Sequence, residues 1–145
     1  MVKILIKKLD PAVKLPEYKT DGASGVDLKA FIKEPITVKS KTSSIVPTGL
    51  SVAFSEDYEI QIRPRSGLAA KENISVLNTP GTIDSDYRGE IKIIIYNHGD
   101  KNFLIKNGDR VAQMILSPVV KMEFEEIENL PETIRGKGGF GSTGT

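Results

Sequence analysis

Tyr58-Glu59-Ile60-Gln61-Ile62-Arg63 places Ile60 and Ile62 at every second position and sets Glu59, Gln61 and Arg63 between them. Successive side chains of an extended strand point to opposite faces, so this stretch reads as a strand with one face in a core and the other toward water. Val120, Met122 and Phe124 alternate with Lys121, Glu123 and Glu125 in the same way. Working outward, residues 2–9, 25–31, 36–39, 44–54, 74–78, 90–97, 102–105 and 110–117 read as further strands. Turn sequences such as Asn107-Gly108-Asp109 and Asn97-His98-Gly99-Asp100 separate them. Many short strands of this kind predict an all-β sandwich or jelly roll. Ile91, Ile93, Ile94 and Ile95 form a nearly continuous apolar run, the pattern of a strand covered on both faces, and a neighbouring subunit is one candidate for the second cover. Only Gly67 to Asn73 has helical character, with Ser66 as the expected N-cap.

The chain has 145 residues, 39% hydrophobic and 27% charged, which fits one domain burying roughly 68% of its unfolded surface. Twenty Lys and Arg balance nineteen Asp and Glu, a net charge of +1, so no global field draws the protein to nucleic acid or membrane. An anionic ligand must be captured locally. Zero cysteines exclude disulfides, thiol nucleophiles and thiolate zinc, and a single His98 argues against a histidine metal cluster. Any working metal is then expected to be Mg²⁺, held by carboxylate, phosphate and water oxygens. No apolar run is long enough for a signal peptide or a membrane-spanning helix, so a cytoplasmic location is expected.

Five segments put polar or charged residues where a β-protein needs only a turn. In Ser24-Gly25-Val26-Asp27-Leu28 a carboxylate sits at a strand start, as an edge aspartate or as part of a cation site. Arg63-Pro64-Arg65-Ser66-Gly67-Leu68 leads into the helix. It is either a plain Ser cap beside a solvated arginine or a phosphate site built from a guanidinium fork, a hydroxyl and free backbone N–H groups. Between Asn78 and Glu90 lie Asp84, Asp86 and Tyr87, either capping a polar turn or supplying a general base and a stacking ring. The two carboxylates point the same way if the segment is extended. Gly108 to Ile115 reads as an alternating strand with Ala112 and Met114 on one face and Gln113 on the other, solvated or donating to phosphate. The last ten residues, Gly136 to Thr145, hold five glycines and one aromatic. With Arg135 they read as a tail that stays mobile or wraps an anion.

In order and spacing these segments resemble the five-motif signature of the trimeric dUTPase family, most specifically from Gly81 to Glu90 and from Arg135 to Gly144. The resemblance covers nearly the whole chain. Ser24, where Ala is more usual, and Thr79-Pro80 before Gly81 depart from the pattern without touching a chemical role. The resemblance implies a jelly-roll domain over residues 1–134, a flexible arm over residues 135–145 and a homotrimer with three active sites at subunit boundaries. The reaction implied is cleavage of dUTP to dUMP and pyrophosphate. Asp27 would hold Mg²⁺ through water, and Arg65, Ser66 and Gln113 would hold the phosphates. Asn78 and the hairpin after it would read uracil, Tyr87 would lie on the deoxyribose, and Asp84 would deprotonate the attacking water. Arg135, Phe140, Ser142 and Thr143 of another subunit would close over the nucleotide. Gly67, Gly81, Thr82, Ile83, Lys92, Met114 and Gly141 complete the implied substrate contacts. A dCTP deaminase on the same fold needs a catalytic glutamate and another arginine and serine pattern, which this sequence lacks.

Overall fold

The computed structural model describes residues 1–140. Its strands are β1 (Leu5–Lys8), β2 (Val26–Lys29), β3 (Ile36–Val38), β4 (Ser43–Pro47), β5 (Leu50–Ala53) and β6 (Tyr58–Arg63), then helix α1 (Ser66–Glu72). β7 (Ile74–Val76), β8 (Gly81–Ile83), β9 (Lys92–Asn97), β10 (Phe103–Ile105) and β11 (Arg110–Pro118) follow. All pairings are antiparallel: a four-stranded sheet β2-β11-β6-β8, a three-stranded sheet β4-β9-β7, and the pairs β1-β5 and β3-β10. Ile60 and Ile62 are buried as their alternation requires, in one core with Leu28, Val46, Ile74, Ile93, Ile95 and Ile105. Ile93→Ala in this core is expected to cost about 2–5 kcal/mol, read as a lower denaturant midpoint with an unchanged slope.

Several expectations need correction. Residues 44–54 form two strands, because Gly49 adopts φ +68° and the space a Cβ would need there is filled by Val13 and Phe31. The buried Thr48 hydroxyl donates to the Ile91 carbonyl at 2.6 Å and the Gly49 N–H to Glu90 Oε1 at 2.8 Å, fixing the bend that hands β5 to β1. The helix starts one residue early: Arg65 is the N-cap, with no side-chain capping bond, and Ser66 is the first helical residue. Asn73 closes the helix in the left-handed region, its N–H bonding the Leu68 carbonyl. Within one chain the isoleucine run alternates after all, since Lys92 is exposed and Ile94 half-buried. Residues 120–125 form no strand. Val120, Met122 and Phe124 are 91%, 78% and 86% exposed, so the alternating pattern there meets no core face and no partner strand among the described residues. Among the described residues no helix is long and apolar enough to cross a membrane.

Candidate active site

The four-stranded sheet sets most of the expected residues in register. Gln113 of β11 lies opposite Asp27 of β2 on one side and Arg63 of β6 on the other. Directly paired residues share a face, so Asp27, Gln113 and Arg63 line the side away from the core. The next row, Val26, Met114, Ile62 and Gly81, faces the core, and Met114 packs there, on the face opposite Gln113. Ile83 also packs against the core, whereas Thr82, opposite Gln61, is exposed on the outer face.

Pro64 and Arg65 carry the chain from β6 into the helix and bring the Arg65 guanidinium over this outer face. Arg65 Nε donates to Asp27 Oδ1 at 2.8 Å, and Gln113 Nε2 to the Pro64 carbonyl at 2.9 Å. Ser66 and Gly67 follow at once in the helix's first turn. Arg110, which strict alternation sets on the opposite face, also reaches this cluster: its Nη1 donates to Asp27 Oδ2 at 3.2 Å. The cause is a β-bulge. Arg110 pairs with Lys29 and Ala112 with Leu28, so one residue of β11 has no counterpart on β2 and the side-chain direction resets. The sequence offers one hint, the adjacent apolar pair Val111-Ala112, which breaks strict alternation; in the structure both are buried.

At the other edge of the sheet, β8 delivers the second group, with Pro80 preceded by a cis peptide bond. A Cβ on Gly81 would lie 3.1 Å from Asn78 Nδ2, so Gly81 leaves the room that the Asn78 side chain occupies. Asp84 through Tyr87 form a turn closed by the Tyr87 N–H on the Asp84 carbonyl at 3.1 Å. Asp84 and Asp86 therefore stand on a bend, not along an extended run, and the condition for their pointing the same way is not met. Asp84 is exposed. Tyr87 Oη donates to the Glu90 carbonyl at 3.0 Å, and its ring runs so close over Gly89 that a Cβ there would overlap it. Lys92 stands on β9 in the other sheet, near Glu90 Oε2 at 3.8 Å.

Three strand spacings, about 14 Å, separate β2 from β8, so within one chain the Asp27 cluster and the Asp84 turn are two halves that do not close on each other. Among the described residues, Asp27 is the one expected site residue that lines the cavity of about 400 Å³ formed by Val13, Leu15, Phe31 and their neighbours. Arg135 Nε bonds the Gly138 carbonyl at 2.9 Å in a local turn, and Phe140 is fully exposed; Gly141, Ser142 and Thr143 lie outside the described residues.

The family model described as dUTPase matches residues 12–144. The chain belongs to the dUTPase family. Relatives named deoxyuridine 5'-triphosphate nucleotidohydrolase from Rickettsia bellii (strain OSU 85-389) and Fusobacterium nucleatum are 52% and 50% identical to it. The alignments cover 99% of this chain in both cases, and 97% and 99% of those proteins. Among solved structures, a mutant dUTPase of phage 80alpha superposes with a TM-score of 0.85 at 23% identity, covering 97% of this chain and 98% of that one. The phage phi11 dUTPase of S. aureus, in a mutant whose structure concerns a structural Mg(II) ion, gives 0.80 at 19%, covering 90% and 99%. These establish for the dUTPase-family chain the jelly-roll fold that the resemblance implies, one of the two architectures the strand pattern leaves open.

The donor set of this dUTPase-family chain also bears on metal. Among the described residues no three His, Asp or Glu side chains gather as a cage, and both oxygens of Asp27 already accept arginine hydrogen bonds. Each oxygen keeps a further lone pair, so Asp27 can accept from metal-bound water. That fits a Mg²⁺ ion brought in on substrate phosphates with much of its water shell retained.

Proposed function

We propose that this chain hydrolyses dUTP to dUMP and pyrophosphate as a homotrimer with Mg²⁺, limiting uracil in DNA and supplying dUMP for thymidylate synthesis. The observation that carries this reading is the outer-face cluster of Asp27, Arg65 and Gln113, an anion site beside a single carboxylate, on the sheet whose far edge presents Asp84 and Tyr87. Relatives at about 50% identity that are named for this substrate support it.

Bound Mg²⁺ supplies neutralisation of the triphosphate charge, with Asp27 holding its water shell. Arg65 offers a forked donor to phosphate oxygens, Gln113 an amide and Ser66 a hydroxyl not spent on capping. Asp84, exposed at the end of β8, takes the proton from water as its oxygen bonds to the α-phosphorus; the bond to the bridging oxygen breaks and pyrophosphate leaves. Asn78 and the backbone around Gly81, Thr82 and Ile83 read the uracil edge, with Lys92 and Met114 as flanking contacts. Tyr87, pinned by the Glu90 carbonyl, fills the space a 2′-hydroxyl would need.

The trimer reading draws on unpaired apolar surface. Ile45 is 60% exposed, is paired with Ile94, and Leu77 beside it is 52% exposed, so the outer face of β4-β9-β7 offers an apolar patch to other copies. Bringing chains together also joins the half-sites that one chain keeps apart. The arm of residues 135–145, including Arg135, Phe140, Gly141, Ser142 and Thr143, then closes over a neighbour's nucleotide.

A single turnover in H₂¹⁸O tests the bond cleaved: the label is expected in dUMP, and label in pyrophosphate would place attack at the β-phosphorus and remove this mechanism. Gly89→Ala, by displacing the Tyr87 ring, is expected to reduce the preference for dUTP over UTP by roughly tenfold, measured as the ratio of kcat/KM values.

A further inference from the structure

Arg110 has no part in the mechanism above, yet it makes one of the two hydrogen bonds that hold Asp27. Asp27 is largely buried, its side chain 19% exposed, and the two guanidinium groups sit on different oxygens: Arg65 Nε on Oδ1 at 2.8 Å, Arg110 Nη1 on Oδ2 at 3.2 Å. Arg65 Nη1 also donates to the Arg110 carbonyl at 3.3 Å, so the two arginines are tied through backbone as well as through the carboxylate. The β11 bulge puts Arg110 on this face, where its side chain stays half-exposed.

Resting on the dUTPase reading, we propose that Arg110 is a positioning residue that frees Arg65 for the triphosphate. Arg65 is bonded to Asp27, and a phosphate that recruits its guanidinium must compete with that carboxylate. With a second guanidinium on Oδ2, Asp27 keeps a counter-ion when Arg65 turns to the ligand, so the exchange strands no unpaired, largely buried charge. Without Arg110, Asp27 has Arg65 as its one partner and holds it against the ligand. Arg110 acts through Asp27, not by touching the nucleotide.

The probe is non-hydrolysable α,β-imido-dUTP, with deoxyuridine as the phosphate-free control, each titrated with and without Mg²⁺. Arg110→Gln is expected to weaken the imido-triphosphate roughly tenfold and deoxyuridine by less than about twofold. Arg110→Lys, which keeps the charge, should recover most of the loss. In the Asp27→Asn background nothing competes for Arg65, so adding Arg110→Gln should change triphosphate affinity by less than about twofold. A tenfold loss that persists in that background would make Arg110 a direct phosphate ligand and overturn the proposal. Unchanged triphosphate binding in Arg110→Gln, equal loss of both ligands, or a variant that does not fold would overturn it too, the last two by marking a structural role. Wild-type protein that fails to bind the imido-triphosphate would defeat the dUTPase reading itself, an outcome distinct from wild-type binding that Arg110→Gln leaves intact.

Discussion

Asp84→Asn is expected to lower dUTP turnover by at least roughly 10², while the protein folds and binds α,β-imido-dUTP within a few-fold of wild type. The substitution keeps the shape and removes the basic oxygen, so it isolates proton removal from binding. Nothing in the fold depends on the charge: Asp84 is exposed, and it is its backbone carbonyl, not its side chain, that accepts from Tyr87. The loss should fall in kcat with KM little changed, since the interaction is made as the water attacks and not in the ground state. Turnover that survives the change would take Asp84 out of the reaction and leave charge neutralisation by Arg65 and the metal as the source of the rate.

Removal of residues 135–145 is expected to leave the melting temperature within a few degrees of wild type and to lower turnover by roughly 10². The stability half follows from packing. Arg135 bonds within its own turn and Phe140 is fully exposed, so the described part of the arm, residues 135–140, holds no large side chain in the core. The activity half follows from water exclusion and alignment, which an arm closing over the nucleotide provides and an open site lacks. Mixing the truncated chain with the Asp84→Asn chain separates a shared site from a self-contained one. Re-assembled mixed trimers contain sites with an intact Asp84 from one chain and an intact arm from another, and activity above either variant alone is expected. Mixtures no more active than their components would mean that each chain closes its own site.

The all-β class was legible because alternation reports burial directly: Ile60 and Ile62 are buried where period two puts them. It misled where tertiary structure overrides local pattern. Residues 44–54 read as one strand because nothing local reveals that Val13 and Phe31 crowd Gly49 into a bend. Residues 120–125 have the right pattern but are exposed and pair with no strand among the described residues. β8 was hidden among Gly, Thr and turn residues, since three residues are too few to show a period. In the site, the pairing of Asp27 with Gln113 follows from two strands meeting in register, which spacing along one chain cannot encode. Arg65 on Asp27 was likewise beyond local reading, for the two are 38 residues apart. Arg110 was missed for a more specific reason: one unpaired residue in β11 inverts every side-chain direction on its far side.

Pyrophosphate release from dUTP, dCTP, dTTP and UTP, each with Mg²⁺ and with a chelator in excess, tests the central claim most directly. Rapid release from dUTP alone, abolished by chelation, is the predicted result. Folded protein that releases pyrophosphate from none of the four would contradict it and leave a nucleotide-binding module, and ammonia from dCTP would point instead to deamination.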